Sequence, residues 1–229
     1  MSTPPSLCNL PDAVIRNIFN RVGFRTIQNL RKVCHDLRIR IDDIKPEGDL
    51  SDVDNVHINL ADQKSVITAL SLIDPRSIKW ICLGNLNAEI QPMEFPKIME
   101  MEHWKTAKHF KSDFLFTDVS VRNFRHFSNF FVSLQSISAE EMFDLKKNFQ
   151  NSTEAEDYTI FYNTFVDREQ VFEKMGPTLM TDSDDFECFF RMSTSDDYVL
   201  RIGLNDLFRS IQFSRNAMAL VPEHAVIQN

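Results

Sequence analysis

VHINLADQKSVITALSLIDPRSIKWIC, residues 56–82, holds the pattern on which the fold turns. Val56, Ile58 and Leu60 alternate with His57, Asn59 and Ala61, the period of two of a strand with one buried face. Val66, Leu70 and Ile73 then recur at helical spacing, and Ile78, Trp80 and Cys82 alternate again. A strand, a helix and a second strand in so short a stretch describe a crossover unit, which in one sheet joins parallel strands with a right-handed turn.

The same alternation runs on. Phe95, Ile98 and Met99 mark a helix, a third strand falls near Lys105 to Lys111, Val121, Phe124 and Phe127 mark a helix, and Phe130, Val132 and Leu134 lie in a fourth strand. Ser138-Ala139-Glu140-Glu141 has the spacing of a capping box, so a helix starts there and buries Met142, Leu145 and Phe149. Tyr158 to Phe165 reads as a fifth strand. Asp167-x-x-Gln170 then caps a helix carrying Val171, Phe172 and Met175, which Gly176-Pro177 stops.

Strand centres near 58, 80, 108, 132 and 161 recur at about 25 residues, the spacing of a leucine-rich-repeat-like arc. The L-x-x-L-x-L-x-x-N consensus is absent, so the arc rests on periodicity and a plain open α/β layer stands as the alternative. Past Asp182, Phe186 to Met192, Tyr198 to Leu204 and Leu207 to Arg215 are strand-like runs between polar turns, read as an antiparallel C-terminal cap, with residues 216–229 as a flexible tail.

Ahead of the first strand, Leu10-Pro11-Asp12 opens an amphipathic helix with Val14, Ile15, Ile18, Phe19 and Val22 on one face and Gly23 as its stop. A second stripe, Leu30, Cys34, Leu37, Ile41 and Ile44, ends before Pro46. The turn Pro46-Glu47-Gly48-Asp49 is read as a domain boundary. A helical head of this size rarely builds a sufficient core alone, so it leans on the rest of the chain or on a partner. The expected fold is α/β: a small helical head at 1–46, then the strand–helix arc and its cap at 47–215.

Composition narrows the function. The chain has 229 residues and 26.7 kDa, is 43% hydrophobic and 25% charged, and carries a net charge of −8. Disorder and collagen-like classes are excluded. No charge-free stretch approaches the ~18 residues of a spanning helix, and Met1 to Pro5 lacks an export pattern. The reading is a soluble chain. Cys8, Cys34, Cys82 and Cys188 lie far apart without C-x-x-C, which fits reduced thiols in the cytoplasm or nucleus.

Only five glycines occur, in none of the spacings that cradle phosphates or form nucleophile elbows. His57, His103, His109 and His126 have no metal-ligand spacing. The acidic runs Glu154 to Asp157 and Asp182 to Asp185 lack the order of a calcium loop and read as solvated turns. Trp80 and Trp104 read as core aromatics rather than a ligand shelf. No metal or cofactor is expected. Residues 1–46 hold eight Lys+Arg against four Asp+Glu, leaving 17 against 29 for the remainder. A basic head on an acidic body argues against nucleic acid and for docking to an acidic protein.

The run Leu7 to Asp43, LCNLPDAVIRNIFNRVGFRTIQNLRKVCHDLRIRIDD, resembles an F-box: Leu-Pro opens the first helix, apolar residues follow at helical spacing, and Val33-Cys34 comes some way on. Ile27 to Arg38 and Ile41 to Pro46 are similar to the nematode-expanded F-box A group in particular. Ile137 to Glu141 with Leu145-Lys146, and Phe186 to Asn216, resemble the FTH domain that follows the F-box in that group. Ala13 stands where many F-boxes put an acidic residue, and His35-Asp36-Leu37 where an aromatic is often found.

The resemblance implies a non-catalytic substrate-recognition adaptor of an SCF-type ubiquitin ligase. Leu10, Pro11, Val14, Ile18, Leu30, Val33 and Cys34 would pack against a Skp-type linker, and the cullin scaffold would be reached indirectly. A protein target would meet the strand side chains facing away from the helices: His57, Asn59, Lys79, Ile81, Ser133 and Gln135. Two alternatives stand beside it, a Skp-binding scaffold or competitor without ubiquitylation, and a small α/β enzyme.

Overall fold

The structure, a computed structural model, describes residues 38–39, 54–59, 63–71, 73–84, 95–176, 179–180 and 186–228. Contacts divide the chain into two units, Met1–Asp52 and Val53–Asn229. In the first, Arg38 and Ile39 are helical and exposed. The remainder of the expected head lies outside the described residues.

The second unit begins with β1 (Asn55–Asn59), α1 (Gln63–Leu70), β2 (Trp80–Gly84), α2 (Pro96–Met99), α3 (Glu102–Thr106), β3 (His109–Phe116) and a 3-10 turn (Val121–Phe124). It continues with β4 (Asn129–Ser138), α4 (Ala139–Asn151), β5 (Asp157–Val166), α5 (Arg168–Met175), β6 (Leu179–Met180), β7 (Phe186–Arg191), β8 (Tyr198–Asn205), β9 (Ser210–Ala217) and β10 (Ile227–Gln228). The result is a mixed α/β unit with one large sheet and few helices.

Strands β1 to β5 lie side by side in chain order, every pair parallel. Parallel neighbours need a crossover, and α1, the α2–α3 pair, the 3-10 turn and α4 occupy the four crossovers. The three C-terminal runs do form strands and do pair antiparallel. They join in reverse order: β9 lies against β5, then β8, then β7. The segment expected as a flexible tail returns to the sheet instead, where β10 pairs with β7.

Four of the parallel strands start in the same way. The Asp54 carbonyl accepts from Lys79 N and Trp80 N, both at 2.9 Å; Lys79 O accepts from Lys108 N and His109 N, Lys108 O from Ser128 N and Asn129 N, and Ser128 O from Glu156 N and Asp157 N. A buried residue precedes each double donor: Ile78, Ala107, Phe127 and Ala155. After three of these starts two successive residues face away from the core: Lys79 and Trp80, Lys108 and His109, Glu156 and Asp157.

That doubled start corrects the expected parity of β2. Ile78 and Ile81 are both buried although three residues apart, while Trp80 and Cys82 are half-buried on the other face. Ile81, assigned to the target-binding set, is therefore core. The third strand also begins later than expected, at His109, because Glu102–Thr106 is helical. Asp167 does not cap α5 through its side chain; it sits in the left-handed region at φ 55°. Gly176, at φ 70°, ends that helix as the sequence indicates.

The capping box at α4 is complete. Ser138 Oγ accepts from Glu141 N at 3.2 Å, and Ser138 N donates to Glu141 Oε2 at 3.0 Å. The core lies between the helices and one sheet face, where Val66, Leu70, Ile98, Met142, Leu145 and Phe149 cluster with Val56, Ile81, Phe110, Val132 and Ile160. Trp104 belongs to this core from α3, edge-on to Phe110 and Phe127 with both centroids at 4.8 Å. Among the described residues no helix is long and apolar enough to cross a membrane.

Candidate interaction surface

Because side chains alternate along a strand, the face opposite the helices carries the other half of each parallel strand. The register places His57 beside Cys82, Cys82 beside Lys111, Lys111 beside Phe131, and Phe131 beside Thr159. A second row runs Asn55, Trp80, His109, Asn129 and Asp157. Trp80 and His109 stack at 4.8 Å and 28°. Lys111 Nζ stands 5.1 Å over the Phe131 ring, whose centroid is 5.1 Å from that of Phe161. β3 slips against β4 between Lys111 and Leu115, an irregularity of the kind that re-aims side chains, directly beside this stripe.

Charge is distributed unevenly across the face. On β5 to β9 it is internally satisfied: Glu187 pairs with Arg201, Arg201 donates to Gln212 Oε1 at 3.4 Å, Gln212 Nε2 donates to Asp157 Oδ2 at 3.0 Å, and Thr159 Oγ1 donates to Asp157 Oδ1 at 3.1 Å. At the other end Lys79 is held by Asp54 at 3.0 Å. Between them Lys111 has no ion-pair partner among the described residues. Burial pushes the neighbouring Cys82 thiol up, so it stays protonated near neutral pH.

The expected contact residues are dispersed. His57, Asn59 and Lys79 are exposed at the β1 side, whereas Ser133 is half-buried next to Phe161 and Gln135 is exposed, accepting from Asn163 Nδ2 at 3.1 Å. Trp80, His109, Lys111, Phe131 and Phe161 form the more continuous stripe and were not foreseen. A signal for two of them was present: the doublets Phe130-Phe131 and Phe161-Tyr162 must turn one aromatic to each face of a strand. Leu10, Pro11, Val14, Ile18, Leu30, Val33 and Cys34 lie outside the described residues.

The histidines expected to carry no metal are separated. His103 Nε2 is 2.8 Å from Ile73 O and His126 Nε2 is 2.9 Å from Trp104 O, while His109 is in the stripe. Among the described residues no three His, Cys, Asp or Glu side chains converge. On the helical side an open cleft of about 340 Å³ lies between the 3-10 turn and α4. Its Arg122 is taken by Glu140 at 2.8 Å and Asp144 at 2.7 Å.

Two known domains match the sequence of this chain. The chain belongs to the FTH domain family, which matches residues 39–175, and an F-box domain matches residues 7–47. It is similar to F-box A protein 224 of Caenorhabditis elegans, 23% identical over 121 residues, which is 53% of this chain and 30% of that protein. The matched stretch thus spans less than a third of the relative's length. No solved structure matches. F-box and FTH families are in general non-catalytic adaptors, and F-box domains in general bind Skp-type proteins.

Proposed function

We propose that the protein is a substrate-recognition adaptor of an SCF-type ubiquitin ligase. The observation that carries this reading is the F-box match at residues 7–47, followed along the chain by a sheet whose described helices pack on one face. Leu10, Pro11, Val14, Ile18, Leu30, Val33 and Cys34 would pack on a Skp-type linker, and the cullin would be engaged through it. The body is a leucine-rich-repeat-like arc, a reading supported by the repeated strand starts. Its open face, with His57, Asn59, Lys79, Ser133 and Gln135, holds the protein target.

The chemistry is positional. Once linker and target are both bound, ubiquitin transfer becomes effectively intramolecular, and no residue of this chain need act on a bond. The protein works in the cytoplasm or nucleus, with its thiols reduced.

The test compares partners captured by the full chain and by a chain lacking residues 1–46. Loss of linker, cullin and target ubiquitylation on deletion, with the target itself retained, supports the adaptor. A target that is retained but never ubiquitylated, even with the linker bound, favours the scaffold reading and overturns this one.

A further inference from the structure

We propose that the stripe formed by His57, Trp80, His109, Lys111, Phe131 and Phe161 is a docking track for an extended protein segment of the pattern aromatic-x-carboxylate-x-aromatic. This deepens the target-recognition reading and rests on it. Lys111 presents a cation with no ion-pair partner among the described residues, whereas further along the face Arg201 pairs with Glu187, and Asp157 accepts hydrogen bonds from Gln212 and Thr159. The exposed Asp113 lies two residues along β3 on the same face; the unmet cation of the stripe is the Lys111 ammonium, and its complement is a carboxylate.

Apolar surface flanks that cation on both sides. Trp80, stacked on His109, lies toward β1, and the Phe131–Phe161 pair lies toward β5; all are half-buried, which holds the rings in place while leaving surface to cover. Pre-ordered aromatic surface binds at low entropic cost and forms the anchors of many interfaces.

Dimensions fix the partner's form. Five strands at ~4.8 Å give a track of about 19 Å from β1 to β5, the reach of roughly six extended residues. In an extended segment alternate side chains face the sheet, so about three make contact: an aromatic toward Trp80, a carboxylate at Lys111, an aromatic over Phe131 and Phe161. A polyanion such as single-stranded RNA is disfavoured, because the chain carries a net charge of −8 and its one unmet cation on the stripe is Lys111 among the described residues.

The experiment uses the full chain and three fluorescein-labelled heptapeptides read by anisotropy: Ser-Tyr-Ser-Glu-Ser-Tyr-Ser, the same peptide with Lys for Glu, and the same with Ala for both Tyr. The Glu–Tyr peptide is expected to bind about tenfold tighter than either control. Lys111→Glu should transfer the preference to the Lys peptide, and Lys111→Gln should abolish the discrimination without moving the thermal melt. Phe131→Ala should weaken both Tyr peptides, and Leu10→Asp should leave all three unchanged.

Equal binding of the Glu and Lys peptides, absence of binding, or tighter binding of an oligouridine strand lost in Lys111→Glu overturns the track. Copurification of the Skp-type linker, measured on the same preparations, reads the adaptor proposal separately. Peptide failure with the linker retained therefore removes the track alone.

Discussion

The side-chain carboxamide of Asn59 occupies the space in which residue 84 would carry a Cβ, and Gly84 is the residue that leaves it free. The two face each other across the β1–β2 pair, with Asp113 of β3 beyond. Gly84→Ala is expected to displace Asn59 from this position. Since Ala is otherwise preferred to Gly inside a strand, the same substitution in an Asn59→Ala background should be neutral or stabilising by about 0.5 kcal/mol. A double-mutant cycle by urea unfolding measures the coupling, expected at about 0.5–1 kcal/mol. Strict additivity would contradict the contact.

Glu141 fastens two helix starts at once. Its Oε2 closes the capping box with Ser138, and its Oε1 accepts from Ser120 Oγ, which in turn accepts from Arg122 N at the start of the 3-10 turn. Ser138→Ala should cost about 1 kcal/mol, a fall in Tm of roughly 3 °C for a chain of this size. Glu141→Ala removes bonds at both starts, and thermal melts should show the larger loss for it.

Ile81 and Ser133 separate core from surface. Ile81 is fully buried, so Ile81→Ala should cost about 2–4 kcal/mol. Lys79→Glu and Ser133→Trp alter an exposed and a half-buried position of the open face and should change stability much less. Both should lower capture of the target while linker copurification persists. Capture unchanged in both variants would move the site off this face.

Cys188 supplies a pH dependence with a definite sign. Burial pushes its thiol up to about 11 from the usual 9.0, and Tyr158 is likewise pushed up to about 12. Each group is neutral in the folded state where its unfolded counterpart begins to ionise. Stability is therefore fully present below pH 9 and declines between about 9 and 11. Urea unfolding across that range should show the decline, with a shallower slope in Cys188→Ala.

Much of the strand–helix order was legible because burial leaves a period. β1 and β4 alternate as Val56–Ile58 and Phe130–Val132–Leu134 indicate, and Ser138 with Glu141 announced α4. The misplacements have local causes. A carbonyl shared by two successive amides puts Lys79 and Trp80 on one side, a backbone event that no side-chain pattern marks. Helix α3 hides the beginning of the third strand, since His103 and Trp104 bury themselves from a helix as readily as from a strand. The stripe around Lys111 depends on cross-strand register, which the sequence of a single strand does not carry.

The most direct test of the adaptor account is copurification of a Skp-type linker with the full chain, compared with Leu10→Asp and Ile18→Asp at low and physiological salt. The account predicts that the wild type retains the linker, with association slowing as the Debye length falls to about 8 Å. Each carboxylate would enter an apolar contact unpaired, so both variants should lose the linker, a penalty of about 2 kcal/mol or more, with the melt of the body unchanged. A wild-type chain that fails to retain the linker, or variants that bind it equally well, would contradict the account.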